Sequence, residues 1–191
     1  MTEPIPESKL LRLSERDRWR AWLQKNYRSK DETWLVYAKK HTGEPRISYN
    51  DAVEEALCFG WIDSIVKTVD DGHFAQRFSV RKNTSNWSQL NIERLRLLVN
   101  EGNIMPEVLE TLPDLSAADF EVPADILVDI KANNEAWSNY QEFSAPYIRI
   151  RISYIDAARS RPDEFNKRLE NFIKKSEQNK LIGQGGVEKY Y

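Results

Sequence analysis

A chain of 191 residues, 40% hydrophobic and with six tryptophans, is long enough for one domain, or one and a half, around a real core. Its 28 Lys and Arg against 30 Asp and Glu leave a formal net charge of −2, which argues against a dedicated nucleic-acid binder, normally clearly basic. The single Cys58 excludes an internal disulfide and a cysteine-based zinc site, and no run approaches the ~20 apolar residues of a membrane helix.

The N-terminal MTEPIPESKLLRL has no basic segment followed by an apolar one, so a cytoplasmic location is expected. Ser14 opens the first predicted helix, with Trp19, Trp22, Leu23 and Tyr27 at helical spacing. Thr33 to Lys39 is β-branched and aromatic and reads as a strand. Ser48 caps a second helix whose Ala52, Val53, Ala56 and Leu57 face the core, and Gly60 ends it.

Trp61–Val69 and His73–Arg81 flank Asp70-Asp71-Gly72, the pattern of a hairpin whose three-residue loop holds Gly in the left-handed region. The loop pairs Val69 with His73. That register sets Asp63 opposite Ser79, diagonal to Arg77 and Arg81, and Trp61 opposite Arg81. One face then carries Trp61, Asp63, Ile65, Arg77, Ser79 and Arg81. The other, with Ile62, Ser64, Val66, Phe78 and Val80, is the expected core face.

A third helix starts at Ser85 or Asn86 and ends at Gly102; a short one spans Pro106–Leu112. Beyond Pro113–Pro123 the chain reads as helical: Ala124–Asn133, with Glu135–Phe143 as its continuation, then Tyr147–Arg159 and Asp163–Gln178. The YIRIRI run alternates like a strand, but Ile148, Ile152, Ile155 and Ala158 share one helical face, so helix is expected. The final Gly183–Tyr191 segment is either a flexible tail or one that docks Tyr190 and Tyr191 on this chain or a neighbour.

The expected fold class is α+β: a small antiparallel sheet with a β-hairpin packed against helices, followed by a helical C-terminal section. The expected organisation is an α+β domain over 1–112, a linker over 113–123, a helical section over 124–182 and a Gly-rich tail over 183–191.

The segments EALCFGWIDS, RFSVRK, SNWSQLN, FSAPY and RIRISYIDAAR resemble the YdeI/OmpD-associated family, also described as bacteriocin-protection proteins, over about Trp19 to Ile182. The resemblance implies a role in resistance to cationic antimicrobial peptides, an association with an outer-membrane porin, and a periplasmic location. Val80 stands where the family usually has Pro between the two Arg residues.

The densest polar functionality lies on the hairpin and the following helix start. The candidate ligand-binding set is Trp61, Asp63, Arg77, Arg81, Lys82, Ser85, Trp87 and Ser88. Two guanidiniums offer forked donors to a phosphate or carboxylate. Asp63 would hold one of them, Ser85, Ser88 and the helix amides would add donors, and Trp61 or Trp87 would stack on a flat ligand. The alternative is a structural ion-pair network that fixes hairpin to helix.

His73 sits at the hairpin tip, too far along the strand to pair with Asp63, and His41 lies in a loop. Two histidines cannot form a multi-His metal site, and no HExxH, nucleophile elbow or Gly-rich phosphate loop is present. No catalytic residue is therefore named, and no metal or cofactor is expected. Arg77, Arg81, Lys82, Arg94 and Arg96 with Trp87 look like a basic–aromatic patch, but Arg94 and Arg96 do not share a helix face, and the chain is acidic overall. Of the aromatics Trp19, Trp22, Trp34, Tyr37 and Trp137, helix and strand spacing explains most as core, and a remainder could line a pocket.

The leading expectation is a stress- or peptide-resistance protein that binds a small anionic ligand or a partner at the Asp63/Arg77/Arg81 cluster. One alternative is a small enzyme on an anionic metabolite, with Asp63 as acid or base and the Arg pair as stabiliser. Another is an interaction module that meets a protein partner through the acidic Glu101–Glu142 stretch and the basic region from Arg149 onward. No motif fixes an oligomeric state.

Overall fold

Seven consecutive residues of strand β2 (Glu32–Ala38) show why the first half of the chain forms a sheet. Trp34, Leu35, Val36, Tyr37 and Ala38 are all buried, so both faces of β2 are covered and its sequence is a continuous apolar run. The computed structural model describes residues 4–82, 86–116, 120–183 and 187–191. By its internal contacts the chain divides into two units, residues 1–86 with 98–112, and residues 87–97 with 113–191.

In the first unit, β2 is central in a four-stranded sheet of order β1-β2-β4-β3, where β1 is Leu10–Leu11, β3 is Trp61–Thr68 and β4 is His73–Val80. The pairings β2–β4 and β3–β4 are antiparallel. The short β1 runs parallel to β2, so the sheet is mixed rather than wholly antiparallel. The crossover that parallel strands require is long enough here to hold helix α1 (Arg16–Asn26). The fold class is α+β as expected.

Helix α1 and helix α2 (Tyr49–Cys58) cover one face of this sheet. Trp19 and Leu23 from α1, Ala52, Val53 and Ala56 from α2, and Phe78 from β4 are all fully buried. The Trp19 indole N–H donates to the Ala52 carbonyl at 3.0 Å, and its ring lies 5.3 Å from that of Phe78. The limits of α2 follow from its sequence. The Ser48 hydroxyl accepts from the Asp51 amide at its start, and Gly60 takes φ 71° just past its end, a conformation that strains a residue with a Cβ.

The hairpin departs from expectation twice. Gly72 is not among the left-handed glycines. The Asp70 carboxylate instead closes the loop, accepting from the Gly72 amide at 2.8 Å and pairing with His73 Nδ1 at 2.8 Å. Near the tip the predicted register holds, with Thr68 opposite Phe74 and Val66 opposite Gln76. A β-bulge between Asp63 and Val66 then shifts the pairing, so Asp63 lies opposite Phe78 and Trp61 opposite Val80. Trp61 and Phe78 therefore share the buried face, while Ile65, Val66 and Val80 of the expected sets are exposed.

Helix α3 (Gln89–Asn100) begins later than predicted; the Ser88 hydroxyl accepts from the Asn91 amide at its N-terminus. The short α4 is Pro106–Leu109.

The second unit is helical: α5 (Ala124–Lys131), α6 (Asn134–Glu142), α7 (Ala145–Asp156) and α8 (Pro162–Glu177). Its core joins Ile126, Ile130, Tyr140, Tyr147, Ile152, Ile155, Leu169 and Phe172. Asn133 separates α5 from α6 because its side chain accepts from the Ala136 amide and caps a new helix. The YIRIRI run is helical within α7, which the Ser144 hydroxyl caps. Residues Val187–Tyr190 form a 3₁₀ turn whose Val187 and Tyr190 are buried with Ile150, beside Leu90 and Leu97. Of the two readings of the C-terminal segment, docking on this chain is the one observed for residues 187–191, while 184–186 lie outside the described residues. No helix among the described residues is long and apolar enough to cross a membrane.

Candidate functional site

The β-bulge separates the residues predicted to meet on the hairpin. Asp63 shares a face with Phe78, and Arg77, one residue along β4, points to the other face. The Asp63 carboxylate accepts from the Tyr49 hydroxyl at 2.9 Å and the Gln76 amide at 2.8 Å. Arg77 donates instead to Glu32 of β2 at 2.6 Å, and Lys9 reaches the same carboxylate at 2.6 Å. Lys9, and then Arg77, hold the Glu32 pKa below its usual value.

Trp61, predicted to stack on a ligand, is fully buried, with its edge on Trp22 and its N–H aimed at the Tyr27 carbonyl. Arg81 is half-buried, and desolvation lowers its pKa; Lys82 is exposed. Ser85 lies outside the described residues. These residues fall in the first unit, whereas Trp87 and Ser88 fall in the second. The Asp63–Arg77 pairing is thus not formed. Asp63 and Arg77 each hold partners that fix strand to helix or strand to strand.

Other charged clusters also serve the fold. Arg16 and Arg20 of α1 both reach the buried Glu55 of α2 at 2.6 Å, and Arg16 also reaches Asp51 at 2.8 Å. In the second unit, the buried Glu93 accepts from Arg149 at 2.7 and 3.0 Å, from Gln89 at 2.8 Å, and from Arg96. No group of three His, Cys, Asp or Glu side chains among the described residues is placed to hold a metal.

One cation in the second unit does not fit this pattern. Arg151 of α7 is 5% exposed. Its Nη2 donates to the Ile182 carbonyl and the Tyr191 hydroxyl, and its guanidinium lies 5.7 and 5.5 Å from the Tyr147 and Tyr191 rings. Its Nε is buried and has no hydrogen-bond partner among the described residues. Among the described residues no carboxylate lies within ion-pair distance of it. Buried arginines are normally paired, because an uncompensated charge out of water is costly.

Arg151 lines a cavity of about 280 Å³ between α7 and α8, with Tyr154, Glu164, Lys167, Arg168 and Asn171. The α8 residues recur at three- and four-residue spacing and so form one stripe. Arg168 is set by Glu164 at 2.7 Å and the Tyr154 carbonyl at 2.6 Å, and stacks 3.7 Å above the Tyr154 ring. Arg168 keeps Glu164 ionised, its pKa below the usual range. Three cationic side chains thus face one committed carboxylate.

A second cavity, about 380 Å³, shares Arg151 and Tyr154 and is lined by Trp87, Leu90, Ile150 and Val187 as well as Ser88. Trp87 and Ser88 are the two predicted ligand residues that reach it. Arg151 carried a signal the hairpin argument passed over. Read as helix, YIRIRI sets it three residues after Ile148 and four before Ile155, inside the apolar stripe.

Fold and cavities together define an α+β unit joined to a helical unit whose buried Arg151 meets no carboxylate among the described residues. The chain belongs to the family described as "Domain of unknown function (DUF8412)", whose model matches residues 11–111. Residues 119–179 match the family described as "Bacteriocin-protection, YdeI or OmpD-Associated". The resemblance drawn from the sequence therefore holds over the helical section. Its EALCFGWIDS, RFSVRK and SNWSQLN segments fall within the first match instead. No curated protein and no solved structure matches the chain significantly.

Proposed function

We propose that the helical unit binds a small anionic ligand, anchored by Arg151. The observation that carries this is Arg151: its guanidinium is buried, its Nε has no acceptor among the described residues, and the residue lines a cavity also lined by Lys167 and Arg168. An anion there supplies the missing acceptor and offsets the buried charge. The lining favours binding over proton transfer, since Glu164 is held ionised by Arg168. Any part in protection against bacteriocins would then run through the bound anion, because a cavity lined by arginine and lysine repels a cationic peptide.

Isothermal titration with inorganic phosphate and with acetate tests the reading on wild type, Lys167→Ala and Arg151→Gln. Both anions are expected to bind wild type, several-fold more weakly to Lys167→Ala and not measurably to Arg151→Gln. Lys167 is exposed, so its removal spares the core. Absence of binding to wild type by either anion, or equal binding by wild type and Lys167→Ala, would overturn it.

A further inference from the structure

The cationic cavity has an apolar neighbour, and the two meet at Arg151 and Tyr154. The neighbouring cavity takes Trp87 from just before α3 and Leu90 from its first turn, Ile150 from α7 and Ala157 from just past its end, and Val187 from the terminal turn. Its exposed lining is mainly apolar, whereas that of the cationic cavity is divided about evenly between polar and apolar. Either cavity alone is near or below the lower end of the ~300–1,000 Å³ range of small-molecule sites. A compact inorganic anion would use only the first.

We propose that the ligand is an amphipathic anion, a carboxylate or phosphate monoester bearing an apolar chain. The inference rests on the anion-binding reading above and adds the body to the head. The anionic group meets Arg151 with Lys167 and Arg168, where forked guanidinium donors suit either head group. The chain passes Tyr154 into the cavity of Trp87, Leu90, Ile150 and Val187. Tyr154 is suited to that junction, with one ring face occupied by the Arg168 guanidinium and the residue 45% exposed. The terminal turn thereby acquires a purpose in the site, because Val187 forms part of the apolar wall.

Burial of each methylene strengthens binding about four-fold, and an inorganic site shows no such series. The test is isothermal titration of the full chain with acetate, butyrate, octanoate, octyl phosphate and octylamine. Affinity is expected to rise by about four-fold per added methylene until the cavity is filled. Octylamine should not bind, and octyl phosphate against octanoate reports which head group is preferred. Ala157→Trp, at an exposed position on the apolar cavity, should flatten the chain-length series while sparing acetate. Lys167→Glu should weaken every anion.

Equal affinity for acetate and octanoate in wild type would overturn this inference and leave anion binding intact. Octylamine bound as tightly as octanoate would overturn the anion reading and with it the proposed head group. An unchanged series in Ala157→Trp, with the fold intact by circular dichroism, would exclude the Trp87–Val187 cavity as the chain's place.

Discussion

Replacement of Glu93 by glutamine tests the account of the helical unit's charged core. Glu93 is 5% exposed and takes hydrogen bonds from Arg149, Arg96 and Gln89. Arg96 also donates to the Leu115 and Ser116 carbonyls, so it keeps partners when the carboxylate is lost. Both hydrogen bonds described for Arg149 go to Glu93, so Arg149 is the group left exposed to the full loss. Removal of one partner from a buried ion pair costs about 3–5 kcal/mol. Glutamine retains the shape and one acceptor, which puts the expected loss at the lower end. For a chain of this length about 3 kcal/mol corresponds to a Tm lower by about 6–12 °C.

The pH dependence provides a second readout. Burial alone would raise the Glu93 pKa, but Arg149, Arg96 and Gln89 overcome it and leave the pKa below the ordinary glutamate value. A carboxyl depressed in the folded state contributes stability above its unfolded pKa and loses it as pH falls through the folded pKa. The gap between wild type and Glu93→Gln should thus be complete at pH 7 and narrow below about pH 4. Paired thermal melts by circular dichroism from pH 7 to pH 3 measure both effects. A Tm difference under about 2 °C at neutral pH, or a gap that does not narrow in acid, would refute the reasoning. The double variant Glu93→Gln/Arg149→Met should recover part of the loss, since Arg149 is then no longer a buried charge without its partner.

Gly60→Ala should destabilise by about 1–2 kcal/mol in a urea melt, because φ 71° strains a Cβ whose nearest neighbour, Val108 Cγ2, is an unstrained 3.4 Å away. A loss under about 0.5 kcal/mol would contradict that. Arg77→Ala should cost at most about 1 kcal/mol, since its pair with Glu32 is partly exposed, and should leave phosphate and acetate binding unchanged. Loss of binding in that variant would return the site to the hairpin. Burial, and then the Glu55 charge, push the Cys58 thiol up to about 11, so Ellman's reagent at pH 8 should label it only in denaturant. Prompt labelling of the folded chain would show the thiol to be reachable.

Local signals in the sequence determined much of this fold. Ser48 and Gly60 bracket α2 because an N-cap and a left-handed C-terminal residue act within one turn. The helical reading of YIRIRI followed from a side-chain period that one helix sets alone. The hairpin tip kept its predicted pairing for the same reason. Only the tertiary structure decided the rest. The bulge between Asp63 and Val66 turns Asp63 and Trp61 to the opposite face from that predicted, and a bulge answers to packing on both sides of a sheet. The candidate site depends on longer range still. Arg151 is one basic residue among many in sequence; its burial without a carboxylate exists only once α8, Ile182 and the terminal Tyr191 close around α7. Desolvation of a charge is a property of everything packed against it, and no window of sequence contains those neighbours.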